Sequence, residues 1–137
     1  MDLYSRRIIG WHLADDMTEA IVLRTLRLAV KERQPPPGLI HHSERGGQYA
    51  GNEYRAVLRR AGAMQSMSRA VDCYDNAFME SCFGTIKNEL EMTEYQSRAE
   101  ARKEVSKYIR YYVYERRHSS LEYRSPAQFE QLIKLSK

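Results

Sequence analysis

Cysteine is scarce here, two residues in 137, at positions 73 and 82. Without a second pair of ligands, Cys73 and Cys82 support neither a disulfide framework nor a zinc site. Uninterrupted apolar stretches are also missing. They are as short as Ala20 to Leu23, far below a membrane span, and no basic leader followed by an apolar segment opens the chain. The expectation is a cytoplasmic protein with no membrane contact. Proline is rare at four residues, three of them in Pro35-Pro36-Pro37, and there is neither an internal repeat nor a low-complexity segment. The length allows one domain at most, and 42% hydrophobic with 29% charged residues describes an ordinary globular composition.

What the chain does have is positive charge, +4 overall. Residues 98 to 124 hold eight Lys or Arg against four Glu, and the remainder balances at fourteen of each sign. The same span carries Tyr108, Tyr111, Tyr112, Tyr114 and Tyr123, half of all ten tyrosines. Cations interleaved with aromatics suit a nucleic-acid backbone, and they equally suit a helix with tyrosines in its core and charges in water.

Local patterns predict the elements. Residues 6–14 are β-branched and aromatic enough for a strand. Thr18 caps a helix to about Arg33, with Met17 stapled against Val22, and Pro35-Pro36-Pro37-Gly38 stops it. Residues 39–42 read as a short buried strand, with His41 and His42 pointing to opposite faces in structural or substrate-facing roles. Glu44 then falls just past the strand's carboxyl end, where open α/β sheets place ligands. Asn52 caps a helix ended by Gly62, and residues 63–67 make the next strand. A polar loop over 68–75 leads into a helix opened by Asp75 or Asn76 and running to Leu90. Ser97-Arg98-Ala99-Glu100 and Ser125-Pro126-Ala127-Gln128 are capping boxes for two further helices, the first reaching about Tyr114. Strands alternating with helices indicate a mixed α/β sheet.

The richest window runs from Asp72 to Lys87, with Glu80 as its pivot. On the expected helix Glu80, Gly84 and Lys87 fall at i, i+4 and i+7 and share a face. A lone Glu and Lys so spaced would most often be an ordinary solvated surface. Yet Glu80 is separated by thirty-five residues from Glu44, the acid in His42-Ser43-Glu44-Arg45-Gly46-Gly47-Gln48-Tyr49.

Together these strings resemble the catalytic core of insertion-sequence transposases and retroviral integrases, the three-acid Asp, Asp, thirty-five, Glu family with a ribonuclease-H-like fold. The nearest likeness is the bacterial insertion-sequence branch, whose core is usually encoded in a second reading frame. It extends from Asp2-Leu3-Tyr4-Ser5 to Arg116-Arg117-His118 and Ser125-Pro126. The resemblance implies DNA transposition by phosphoryl transfer, with Glu44 and Glu80 as catalytic metal ligands and Mg²⁺ or Mn²⁺ as cofactor. That chemistry suits carboxylates, because two-metal transfer holds oxygen-loving cations about 3.5–4 Å apart. Lys87 would hold a phosphate near the metals. Arg45, Gln48, Tyr49 and Asn76 would shape the DNA site, and Arg116, Arg117 and His118 would contact DNA, a structural corner being the alternative for that trio. Implied partners are DNA, as element ends and target, and either further copies of the chain or a full-length transposase.

Three departures accompany the resemblance. The family's first Asp lies on a strand upstream of the segment like Asp2-Leu3-Tyr4-Ser5, so the expected sheet lacks the first two strands of the fold and leaves edges unpaired. Its second acid is Asp where this chain has Glu44, a carboxylate displaced by about 1.5 Å. Phe78, Val113 and Glu122 stand where Pro, Asn and Gly are usual. The expected organisation is a partial catalytic core over 1–114 and a basic tail over 115–137 with a short terminal helix. The stretch alone is expected to be catalytically incomplete, and the alternative function is a non-catalytic fragment that binds DNA or transposase.

Overall fold

The computed structural model describes residues 1–68, 76–90 and 94–135. Expectations for the loop up to 75, for Cys73 and for an Asp75 cap lie outside the described residues. The elements are α1 (Glu19–Arg33), β1 (Ile40–Ser43), α2 (Gly47–Ala50), α3 (Asn52–Arg60), β2 (Met64–Met67), α4 (Ala77–Glu89), α5 (Arg98–Tyr114), a 3₁₀ turn (Ser119–Leu121) and α6 (Pro126–Leu135). The mixed α/β class read from the sequence is the one that forms, with two compact units, Ile9–Glu80 and Met1–Ile8 together with Ser81–Lys137.

In the unit Ile9–Glu80, α3 buries Tyr54, Val57 and Leu58, at i, i+3 and i+4, against Leu23 and Leu26 of α1. Each buried side chain of this size contributes about 1.5–3 kcal/mol. β1 and β2 pair in parallel, from Ile40 opposite Met64 to Ser43 opposite Met67. A parallel pair needs a crossover, and α2 and α3 supply it. Gly10 lies against α1 so closely that a Cβ would come within 2.9 Å of the Thr25 carbonyl oxygen. The chain turns out of α3 through Gly62 at φ +66°, a left-handed conformation that glycine adopts without cost.

The other unit packs Cys82 and Ile86 of α4 against Tyr108, Tyr112 and Val113 of α5. The box at Ser125 closes reciprocally, while the one at Ser97 returns to the residue before its N-cap. Ser97 Oγ accepts from Glu100 N–H at 3.1 Å, while Glu100 reaches back to the N–H of Gln96 at 2.8 Å. Ser125 Oγ accepts from Gln128 N–H at 3.3 Å and Gln128 accepts from Ser125 N–H at 3.0 Å. Glu130 of α6 accepts from Ser5 Oγ at 2.7 Å and from Arg7 Nη1 at 2.8 Å, which fastens the N-terminal segment.

Four local expectations change. Residues 6–14 form no strand, because β-branched residues realise their preference only against a partner ladder and β1 and β2 pair with each other. Met17 is 92% exposed and staples nothing. The strand expected over 39–42 is shifted to Ile40–Ser43, and its first residue is 63% exposed, so it is not buried throughout. Gly51, not Asn52, takes the N-cap position of α3, and α2 precedes it as a short helix the sequence pattern did not announce.

Candidate carboxylate site and nucleic-acid interface

The carboxyl end of β1 is held by its histidines, which the pleat sends to opposite faces. His41 Nε2 lies 2.6 Å from the Tyr54 hydroxyl, and burial lowers its pKa below the usual imidazole value. His42 spans the two strands, with Nδ1 3.0 Å from Ser66 Oγ and Nε2 3.2 Å from Ser68 Oγ. Ser68 Oγ in turn donates to the Ser43 carbonyl at 3.3 Å. Glu44 follows this locked strand end with its side chain exposed.

Tyr49, on α2, lies within electrostatic reach of Glu44, and Gln48 on the same helix bonds to Tyr49. Burial raises the Tyr49 pKa, the charge of Glu44 raises it further, and a hydrogen bond with Gln48 opposes both. Tyr49 also packs edge-on against Tyr54 at 5.6 Å, and its carbonyl accepts from Gln65 Nε2 at 2.7 Å. Arg45 is exposed beside Glu44.

Asn76 is half-buried at the 3₁₀ step entering α4, and Glu80 lies in the first turn, where a carboxylate complements the helix dipole. Glu80, Gly84 and Lys87 are all exposed, and a Cβ at Gly84 would meet nothing within 4 Å. The stripe is an open helix face two turns long.

The structure splits the trio expected on DNA. Arg116 Nε lies 2.9 Å from both Glu89 oxygens and its Nη2 donates to Oε1 at 2.6 Å. Tyr108 donates to Glu89 Oε2 at 2.8 Å. The Arg116 hydrogen bond holds the Glu89 carboxyl below the usual range, with Tyr108 adding to the effect. The Arg116 guanidinium stands 5.8 Å from the Tyr112 ring centroid, and the His118 ring packs edge-on against that ring at 4.8 Å. His118 Nε2 is buried without a hydrogen-bond partner among the described residues, and burial lowers its pKa. Arg117 alone of the three is exposed. Sequence reasoning did not find Glu89 as the partner of Arg116, or Tyr108 as the second donor to Glu89. The i, i+4 spacing of Tyr108 and Tyr112 marks one face, but nothing local points twenty-seven residues back to Glu89.

Among the described residues no three His, Cys, Asp or Glu side chains converge to hold a metal ion. Glu44 and Glu80 are two exposed acids, whereas a pair of divalent cations needs several carboxylates in fixed geometry. The side chains described do not by themselves fit that cofactor. No helix among them is long and apolar enough to cross a membrane.

Comparison with known proteins supplies the lineage. Residues 1–73 match the integrase core domain family, and residues 61–126 match a second family of the same description. Over 132 residues, 95% of the chain, it is 43% identical to the transposase for insertion sequence element IS904 of Lactococcus lactis, covering 52% of that protein. The same stretch is 42% identical to an uncharacterized 31 kDa protein of insertion element IS600 from Shigella sonnei, covering 48% of it. It is 40% identical to transposase InsF for insertion sequence IS3A of Escherichia coli K12, covering 46%. The chain thus spans about half the length of the curated relatives it matches. Integrase cores generally depend on divalent metal ions. With its parallel β1–β2 pair, the acid after β1 and the Glu80 helix, the chain belongs to the integrase core domain family.

Proposed function

We propose that this chain is a DNA-binding portion of an insertion-sequence transposase core, acting in the cytoplasm on the element's ends and target. It supplies Glu44 and Glu80 as two of the acids of a phosphoryl-transfer site. The observation that carries this reading is the open stripe of α4, where Glu80 and Lys87 stand two turns apart on one exposed face. A cation at that offset can hold a backbone phosphate beside the acid. Glu44 enters from the carboxyl end of a parallel strand, the end at which open α/β sheets gather ligands. Gln48 and Tyr49 line the approach to that acid, with Arg45 next to Glu44 and Asn76 one turn before Glu80. Arg117 takes a phosphate contact, while Arg116 and His118 hold the corner behind it. Mg²⁺ or Mn²⁺ binding needs a further acid beyond these two, so no catalytic step is assigned to the described residues alone.

The test is fluorescence anisotropy of the full chain on a short DNA duplex at several salt concentrations. Lys87→Gln should weaken binding and flatten the slope of log K against log salt by about one unit. Glu80→Gln should leave the slope intact and tighten binding in EDTA, because a carboxylate facing phosphate is repulsive without a metal. Unchanged binding in both variants would remove α4 from the DNA surface.

A further inference from the structure

The charge of this chain is concentrated at a second place, visible only after folding. Helices α1 and α3 together carry seven Lys or Arg against three Glu, an excess of four. That equals the net charge of the whole chain, +4. Their C-terminal halves flank an open depression of about 560 Å³ with Val30 and Ala61 in its floor and Lys31, Arg59 and Arg60 around it. Arg27 extends the cationic wall, although Glu53 engages it at 3.3 Å. The side chains of Lys31, Arg59 and Arg60 make no ion pair or hydrogen bond among the described residues.

Cations in the last turn of a helix often do no more than answer its dipole or bond its free carbonyls. Here four of those carbonyls are already taken. Val30 accepts from Gln34 N–H at 2.8 Å, Val57 from Ala61 at 3.1 Å, Leu58 from Ala63 at 2.9 Å and Arg59 from Gly62 at 3.0 Å. Three exposed cations without an ion pair among the described residues stand around one depression, and a polyanion laid across it meets all three. The depression is open and lacks the enclosure a small anion needs, so the fitting ligand is an extended polyanion that runs across it.

We infer that Lys31, Arg59 and Arg60 form a second binding groove for the sugar–phosphate backbone of nucleic acid. The inference rests on the reading of the chain as a DNA binder and adds a surface to it. Pro37 and Gly62 place the groove beside the amino ends of β1 and β2, whereas Glu44 leaves the carboxyl end of β1. Four residues of strand separate the ends, roughly 13 Å, so the groove is distinct from the carboxylate site. A duplex contacting both would be gripped at two places instead of one.

The experiment is anisotropy of the full chain on a duplex of arbitrary sequence between 50 and 200 mM salt. The triple variant Lys31→Gln, Arg59→Gln and Arg60→Gln should lower affinity at least tenfold and flatten the salt slope by about two to three units. The charge-preserving Lys31→Arg, Arg59→Lys and Arg60→Lys should bind as the parent does. Urea melts establish that each variant is folded, and if the triple is not, the single Arg59→Gln and Arg60→Gln should each remove about one unit. A folded variant with the parent's slope overturns the groove, as would a loss of polyglutamate binding with DNA binding unchanged. If the parent chain binds no duplex, the proposed function falls as well. If it binds and only Lys87→Gln or Arg117→Gln flattens the slope, the groove alone is refuted.

Discussion

Arg116 and Arg117 are neighbours with the same charge, and the structure gives them opposite tasks. Arg116→Gln should cost stability and leave the salt dependence of DNA binding unchanged, whereas Arg117→Gln should flatten that slope by about one unit and leave stability alone. The magnitude follows from exposure. The Arg116 and Glu89 side chains are 22% and 35% exposed. Hydrogen bonds to buried charges contribute about 1.5–3 kcal/mol and exposed ion pairs about 0.2–1 kcal/mol. Partial solvent screening places this bidentate pair between, at about 1–2 kcal/mol, with about a few tenths more from the Tyr112 ring. In a chain of this size that is a fall of roughly 3–8 °C in Tm. Urea melts of Arg116→Gln, Glu89→Gln and the double variant should give a coupling energy near 1 kcal/mol. The pH dependence has a definite sign. Glu89's folded pKa lies below its ordinary 4.5, so the pair's contribution is present above that value and is lost as pH falls through the depressed one. The gap between parent and Arg116→Gln should therefore close in acid. An Arg116→Gln protein as stable as the parent but with a flattened slope would refute this division of labour.

Two further outcomes are expected. His41 and His118 both have folded pKa values below the ordinary 6.5, chiefly through burial; the unfolded chain thus binds protons first, and urea midpoints should fall from pH 7.5 to 5.5, less steeply in His41→Gln, a flat parent profile counting against it. Gly10→Ala should destabilise by about 1–3 kcal/mol, because its Cβ would lie 2.9 Å from the Thr25 carbonyl and 3.2 Å from Ala29 Cβ; a melt like the parent's would show that α1 can yield there.

Features encoded within a few residues were legible in the sequence. Ser97 and Ser125 with their partners three positions on formed the expected caps, because such a cap closes within one turn. The position where the family carries Gly is Glu122, which sits at φ 53°, so the pattern had registered a backbone requirement that this side chain meets under strain. Features requiring a distant partner were not legible. Residues 6–14 have strand composition and no ladder. Arg116 looked free for phosphate because Glu89 is far away in sequence, and counting charge along 98–124 hid the groove that α1 and α3 assemble from separate helices. In the candidate site, Glu44 at the end of β1 and Glu80 in the first turn of α4 were placed by local pattern, since both depend on where one element stops or starts. The serines that hold His42 were not foreseen, as they come from the other strand.

Those serines also join His42 and the backbone before Glu44 into one hydrogen-bonded chain. A serine hydroxyl has a single hydrogen, and Ser68 directs its own to the Ser43 carbonyl. While that bond holds, Ser68 Oγ accepts from His42, which puts the imidazole hydrogen on Nε2. Nδ1 is left as the acceptor, and Ser66 must donate to it. The polarity thus runs one way, from Ser66 through the ring to Ser68 and on to the carbonyl of the residue preceding Glu44. The backbone that presents Glu44 is thereby tied to the tautomer of one ring.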